Sequence, residues 1–165
     1  MRLMLAIVGL LLMSVTGQGA SEYPAPKEGE WIAHDFRFHT GEVVRGLRLH
    51  YTTVGDASRD PVLIIHGTAG SGAGMLTSSF AGELFGPRQP LDARQYFVIL
   101  PDAIGAGKSS KPSDGLRAKF PSYDYDDMVR AEYALVTEGL GINLNPAVGA
   151  RNEFAYNLGY RFRPG

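Results

Sequence analysis

Two short runs without a polar side chain, Val62–Ile65 and Phe97–Leu100, constrain the fold most. Such runs suit strands buried on both faces, as in a parallel sheet. The first ends in His66-Gly67 and the second in Pro101-Asp102. Ahead of them, Leu47, Leu49 and Tyr51 alternate with Arg48 and His50, the period-two mark of a half-buried strand. Thr40-Gly41 supplies a turn, so Trp31 to Val54 is expected to form two strands.

Between the apolar runs, small residues from Ala69 to Gly74 lead into a helix expected over Met75 to Leu84, which Gly86, Pro87 and Pro90 break. From Asp124 the spacing turns helical, with Val129, Tyr133, Val136 and Leu140 recurring at four, three and four residues. Asp124 suits the N-cap, Asp126 and Asp127 suit the first turn, and Gly139 and Gly141 close the helix. Hairpin, buried strand, helix, buried strand, loop and helix together give the α/β class with a mostly parallel sheet.

Composition excludes several functions. The 165 residues are 44% hydrophobic with a formal net charge of -1, which fits one soluble globular domain. No basic stripe is available for nucleic acid. Without cysteine, disulfides and thiolate metal sites are excluded. Arg2 followed by the apolar run Leu3 to Met13 and small residues at Gly17, Gly19 and Ala20 predicts a signal peptide over residues 1–20. The run is short for a ~30 Å hydrocarbon core, so cleavage near residues 17–21 and a periplasmic or secreted chain are expected. Residues 21–30 then read as a linker, 31–143 as the folded domain and 144–165 as a divergent tail.

The stretch "PDAIGAGKSSKPSD", Pro101 to Asp114, contains the Gly-Lys-Ser of a phosphate-binding loop. That loop needs a glycine five residues before Gly107, and Asp102 stands there with a charge that would repel phosphate. It also needs a helix after Lys108, where Lys111-Pro112-Ser113-Asp114-Gly115 forms turns instead. A nucleotide site is therefore excluded. The same residues make a bend at the carboxyl edge of a sheet, with Gly105 and Gly107 as the turning points.

"VLIIHGTAGSG" followed by "FVILPDAIGAGKSS" resembles the α/β-hydrolase fold, in which His-Gly ends the third strand and Asp-x-x-Gly-x-Gly-x-Ser follows the fourth. "LRLHYTTVG", the long stretch from Phe80 to Val129 and "LVTEGLG" are similar to the homoserine O-acetyltransferase-like branch, over about residues 31–143. The resemblance implies the N-terminal half of the fold, with an antiparallel start and then parallel strands with helices. It implies ester hydrolysis or acyl transfer on small-molecule substrates. It also implies that Thr68, after His66 and Gly67, offers a backbone N–H to an oxyanion hole, and that Asp102, Gly105, Gly107 and Ser109 border the active site.

The same chemistry needs a nucleophile in Gly-x-Ser-x-Gly, then an acid, then a histidine. No serine here has glycine two residues before and two after, and the last histidine is His66. No catalytic residue is therefore assigned, and the chain is expected to be inactive alone. The alternative is a non-catalytic binding or interaction protein that reuses the half-fold. In the tail, Phe154, Tyr156, Leu158, Tyr160 and Phe162 alternate with Ala155, Asn157, Gly159 and Arg161, the pattern of a half-exposed strand. A frame shift, fusion or truncation near Asn143 would account for that tail.

No metal and no cofactor are expected. His34, His39, His50 and His66 show no metal-like pairing, and Asp124, Asp126 and Asp127 lack the glycine of a calcium loop because Val129 stands at its position. Trp31, Phe36 and Phe38 read as strand packing residues. A sheet ending at its fourth strand is expected to leave Val62–Ile65 and Phe97–Leu100 uncovered and to self-associate.

Overall fold

The computed structural model describes residues 22–143. The leader and the tail, including its alternating segment, lie outside the described residues. Strand β1, Lys27–Arg37, begins four residues inside the expected linker. It pairs antiparallel with β2, Val43–Val54, from Lys27 opposite Thr53 to Arg37 opposite Val43. The connecting turn is held by the Phe38 N–H on the Glu42 carbonyl and the Gly41 N–H on the Phe38 carbonyl, both at 2.9 Å.

The two apolar runs become β3, Asp60–Leu63, and β4, Tyr96–Pro101. The sheet order is β1-β2-β4-β3, with β4 antiparallel to β2 and parallel to β3. Among the described residues only one strand pairing is parallel, so this part of the sheet is mixed. The order also corrects an expectation about edges. Among the described residues, Phe97–Leu100 lies between two strands, and β3 alone of the two runs is an outer strand.

Alternation in β4 builds two cores. Val98 and Leu100 face one side with Val54, Val62 and Ile64, under a single-turn helix α1, Ala81–Leu84. Phe97 and Ile99 face the other side with Leu63, where Val136 packs. Beside that cluster, Leu47 and Leu49 meet Ala131 and Leu135. The latter residues belong to α2, Tyr125–Ala134, and to its wider continuation Leu135–Gly139. Among the described residues, no helix is long and apolar enough to cross a membrane.

Both helices depart in detail from their sequence patterns. Instead of a helix over Met75–Leu84 there is a short 3-10 turn at Ala73–Met75 and then α1. Thr77 and Ser79 hydroxyls lie 3.3 Å apart, and Phe80 and Gly82 both donate to the Thr77 carbonyl. The Thr77 carbonyl thus anchors a separate turn that leads into α1. In α2, Asp124 is the N-cap as expected and forms a capping box with Asp127. Within α2 the buried residues are Asp127, Ala131 and Glu132; of the expected stripe, Val136 is buried and Leu140 packs beside it, while Tyr133 is exposed.

Candidate functional site

The carboxyl ends of the parallel strands β3 and β4 lie side by side, where open α/β sheets hold their ligands. The loop after β3 carries His66, Gly67 and Thr68. The loop after β4 carries Asp102 to Ser110. Two clasps join them.

His66 forms the first. The Ala103 N–H donates to its Nε2 at 3.1 Å, so that nitrogen bears no proton. The proton is then on Nδ1, which donates to the Gly67 carbonyl at 2.8 Å. One imidazole thus fixes both loops. His66 is therefore not an ordinary strand residue; it lies beyond β3 and serves as a bracket.

Asp102 forms the second clasp. Its carboxylate is buried and accepts from the Gly72 N–H at 2.7 Å and from the Lys108 N–H at 2.8 Å. It also meets Nδ1 of His50 at 2.9 Å. Ser109, fully buried, donates its hydroxyl to the Asp102 carbonyl at 2.6 Å and accepts from the His50 N–H at 2.9 Å. Of the border residues implied by resemblance, Asp102 and Ser109 thus face inward as fasteners.

The glycines are the positions where a side chain has no room. Gly107 has φ 49°, and a Cβ there would collide with the Asp102 carboxylate. Gly105 has φ 84°, and its Cβ would collide with the Tyr123 hydroxyl. Both adopt the left-handed backbone that glycine tolerates best.

Thr68 is exposed on the rim of the clasped loops. The Gly70 N–H closes a tight turn on the Gly67 carbonyl at 3.0 Å, with Ala69 at φ 61°. Among the described residues, no acceptor is seated on the Thr68 N–H.

Three features were not legible in the sequence. His50 lies on β2 with Asp102 just past β4; strand adjacency brings them together, and no local spacing announces it. The Nε2 of His50 is 3.4 Å from the Glu28 carboxylate, close enough for an ion pair but without hydrogen-bond geometry. Lys108, hydrogen-bonded to Glu28 at 2.5 Å, holds the Glu28 carboxyl below its usual range.

His39 also has acidic partners, contrary to expectation. Its N–H donates to the Asp127 carboxylate at 2.9 Å and its Nδ1 meets the same group at 2.6 Å, with Asp124 at 3.5 Å. The Asp127 hydrogen bond raises the His39 pKa. Burial would push the Asp127 carboxyl up, but hydrogen bonds from His39, Arg130 and the Asp124 N–H hold it below its usual value. His39, Asp124 and Asp127 could offer ligand atoms within 4.8 Å of one another, yet Arg130 already sits on Asp127. The cluster ties the β1–β2 turn to the start of α2.

Glu132 is the third. It is 4% exposed, its Oε1 has no partner among the described residues, and burial pushes its pKa up to about 7.

No family model matches the chain. A homoserine O-acetyltransferase of Thermobifida fusca is 31% identical over 132 residues, covering 68% of this chain and 35% of that relative's own length. The crystal structure of a homoserine O-acetyltransferase from Staphylococcus aureus superposes with a TM-score of 0.61 at 24% identity, covering 72% of this chain and 37% of that one. An acetylester hydrolase from Corynebacterium glutamicum superposes with a TM-score of 0.58 at 24% identity, covering 70% and 34%. The chain thus spans little more than a third of the length of the proteins it matches.

Proposed function

Since the described residues are a partial α/β-hydrolase domain of the homoserine O-acetyltransferase-like branch, we propose that they form the oxyanion side of an acyl-transfer or ester-hydrolysis site. The observation that carries this reading is the Thr68 N–H, free of an acceptor among the described residues and held beside β4 by the His66 and Asp102 clasps. A backbone N–H so placed stabilises the negative oxygen that develops when an ester or thioester carbonyl is attacked. The substrate class is a small-molecule ester or acyl donor, with no nucleotide and no nucleic acid.

The attacking group must come from elsewhere. The 165 residues hold no Gly-x-Ser-x-Gly and no histidine after His66. The chain alone therefore binds the carbonyl without completing catalysis. With p-nitrophenyl acetate, the purified chain gives no burst of p-nitrophenol. A burst abolished by a serine-directed reagent would overturn this reading. The coding DNA downstream of the Asn143 codon, read in all frames, is the second test. A Gly-x-Ser-x-Gly with a later Asp and His there marks a disrupted enzyme.

The missing nucleophile favours one further reading, a non-catalytic binding protein on the same half-fold. Saturable binding of an ester analogue without turnover, in a chain with no such downstream frame, distinguishes it. The apolar leader supports export, with cleavage near residues 17–21. The N-terminal sequence of the mature chain from a periplasmic fraction tests that.

A further inference from the structure

Asp114-Gly115 is the chain's one Asp-Gly dipeptide, and no Asn-Gly occurs in it. In such a pair the glycine's backbone nitrogen can attack the aspartate's own Cγ, because the second residue has no Cβ to hinder the approach. The pair ends a 3-10 turn, Pro112–Asp114, inside an unbroken run of exposed residues, 112–119. Gly115 has φ 133°, and a Cβ there would meet nothing within 4 Å. Among the described residues, its N–H has no acceptor. The nucleophile is open, and solvent reaches it.

The electrophile is tied elsewhere. The Asp114 carboxylate reaches back to the start of its own turn, where Oδ2 accepts the Lys111 N–H at 3.2 Å and Oδ1 lies 3.1 Å from Lys111 Nζ. Arg48, on β2, donates to the same Oδ2 at 3.1 Å. The Lys111 side chain holds this carboxyl below its usual range, and the charge of Arg48 adds to the effect. A carboxylate closes a ring more slowly than the acid, because it has the poorer leaving group. Each cation also grips the bend of the candidate site. Lys111 Nζ donates to the Gly107 carbonyl at 3.0 Å, and Arg48 Nε donates to the Lys108 carbonyl at 2.9 Å. Asp114 is thus the shared counter-ion of the two side chains that brace that bend.

We propose that Asp114-Gly115 is a site of spontaneous isoaspartate formation, locked in the folded chain by Lys111 and Arg48. The Gly115 nitrogen bonds to Asp114 Cγ and loses its proton, while the carboxyl gives up one oxygen, the two leaving as water. The cyclic imide then takes up a solvent water. Opening at the former side-chain carbonyl restores aspartate, and opening at the main-chain carbonyl leaves the backbone running through Cγ. No atom is gained or lost overall, and nothing is oxidised. The isomer has one more carbon in its backbone and its carboxylate on a shorter branch, so it no longer spans Arg48 and Lys111. Intramolecular attack needs the reacting atoms in near-attack geometry, so release of the carboxylate from its two cations sets the rate. This inference does not depend on the acyl-transfer reading.

The test is incubation of the purified full chain at neutral pH over weeks, followed by peptide mapping with electron-transfer fragmentation, which separates isoaspartate from aspartate at equal mass. Isoaspartate is expected at Asp114, forming ~10-fold or more faster in urea, where the carboxylate is free to turn. Arg48→Gln and Lys111→Gln, made singly, should each raise the rate in the folded chain about two- to fivefold, the factor an exposed charge pair is worth. Exchange of the β4 amides reports that each variant keeps its fold. Molar salt screens the same pairs without any substitution and should raise the rate in the parent. No isoaspartate at Asp114 in the urea-unfolded chain would overturn the proposal, and so would equal rates with and without urea. Parent-like rates in both folded variants, or a parent rate indifferent to salt, would remove the lock and overturn it too.

Discussion

The Asp102 carboxylate meets Nδ1 of His50 at 2.9 Å inside the protein, joining the end of β4 to the middle of β2. The same carboxylate holds the amides of Gly72 and Lys108, so one side chain fixes the strand and both loops of the candidate site. Asp102→Ala leaves His50 and two amides without their acceptor. Breaking a buried charged network of this kind costs about 3–5 kcal/mol, read as a fall in the urea midpoint. An unchanged midpoint would show that the two loops hold without it.

Gly107→Ala is expected to destabilise by about 2 kcal/mol or more, because left-handed strain adds to a collision with Asp102. Gly67→Ala is the control. No atom lies within 4 Å of a Cβ there and its φ is not positive, so its midpoint should stay within about 0.5 kcal/mol of the parent.

Glu132 sets a pH window of its own. Its folded pKa of about 7 lies above the ordinary 4.5, so the folded state binds the proton more tightly than the unfolded state does. Below pH 4.5 both states are protonated and there is no penalty. Stability then falls as pH rises from 4.5 to about 7, and stays low above that. The total loss is on the order of 3 kcal/mol. Glu132→Gln should flatten this part of the stability–pH curve and exceed the parent above neutral pH. A parent curve that rises through that window contradicts it.

His39 titrates in the opposite sense. Asp127 raises its pKa, so the stability it contributes is complete below the ordinary 6.5 and is lost as pH rises through the higher folded value. An NMR titration of the ring should place its midpoint above 6.5, and Asp127→Asn should return it toward that value. No change on that substitution would remove Asp127 as the cause.

The architecture was legible where one local pattern decided it. The unbroken apolar runs gave β3 and β4, and the alternation around Leu47 to Tyr51 gave β2. Asp124 announced the start of α2 because capping acts within one turn. The burial of Asp127 was not legible because its partner His39 lies in the β1–β2 turn, far away in sequence, and the apolar spacing gave no sign that Glu132 is buried. Of the site, the bend at Gly105 and Gly107 was visible as glycine spacing. The His50–Asp102 pair was not, since it exists only once β4 lies beside β2.

The sheet order also imposes a sequence of events on folding. β2 and β3 are neighbours in the chain but are separated in space by β4, the last strand of the four to be synthesised. The β1–β2 hairpin can close by itself through near-neighbour pairings. β3 has no partner among these strands until residues 96–101 arrive and wedge between it and β2. That insertion closes the longest loops in the sheet, so it is the step whose entropy sets the pace. A nascent chain paused before Tyr96 would hold a formed hairpin and an unpaired β3, a waiting state in which a chaperone has the most to shield.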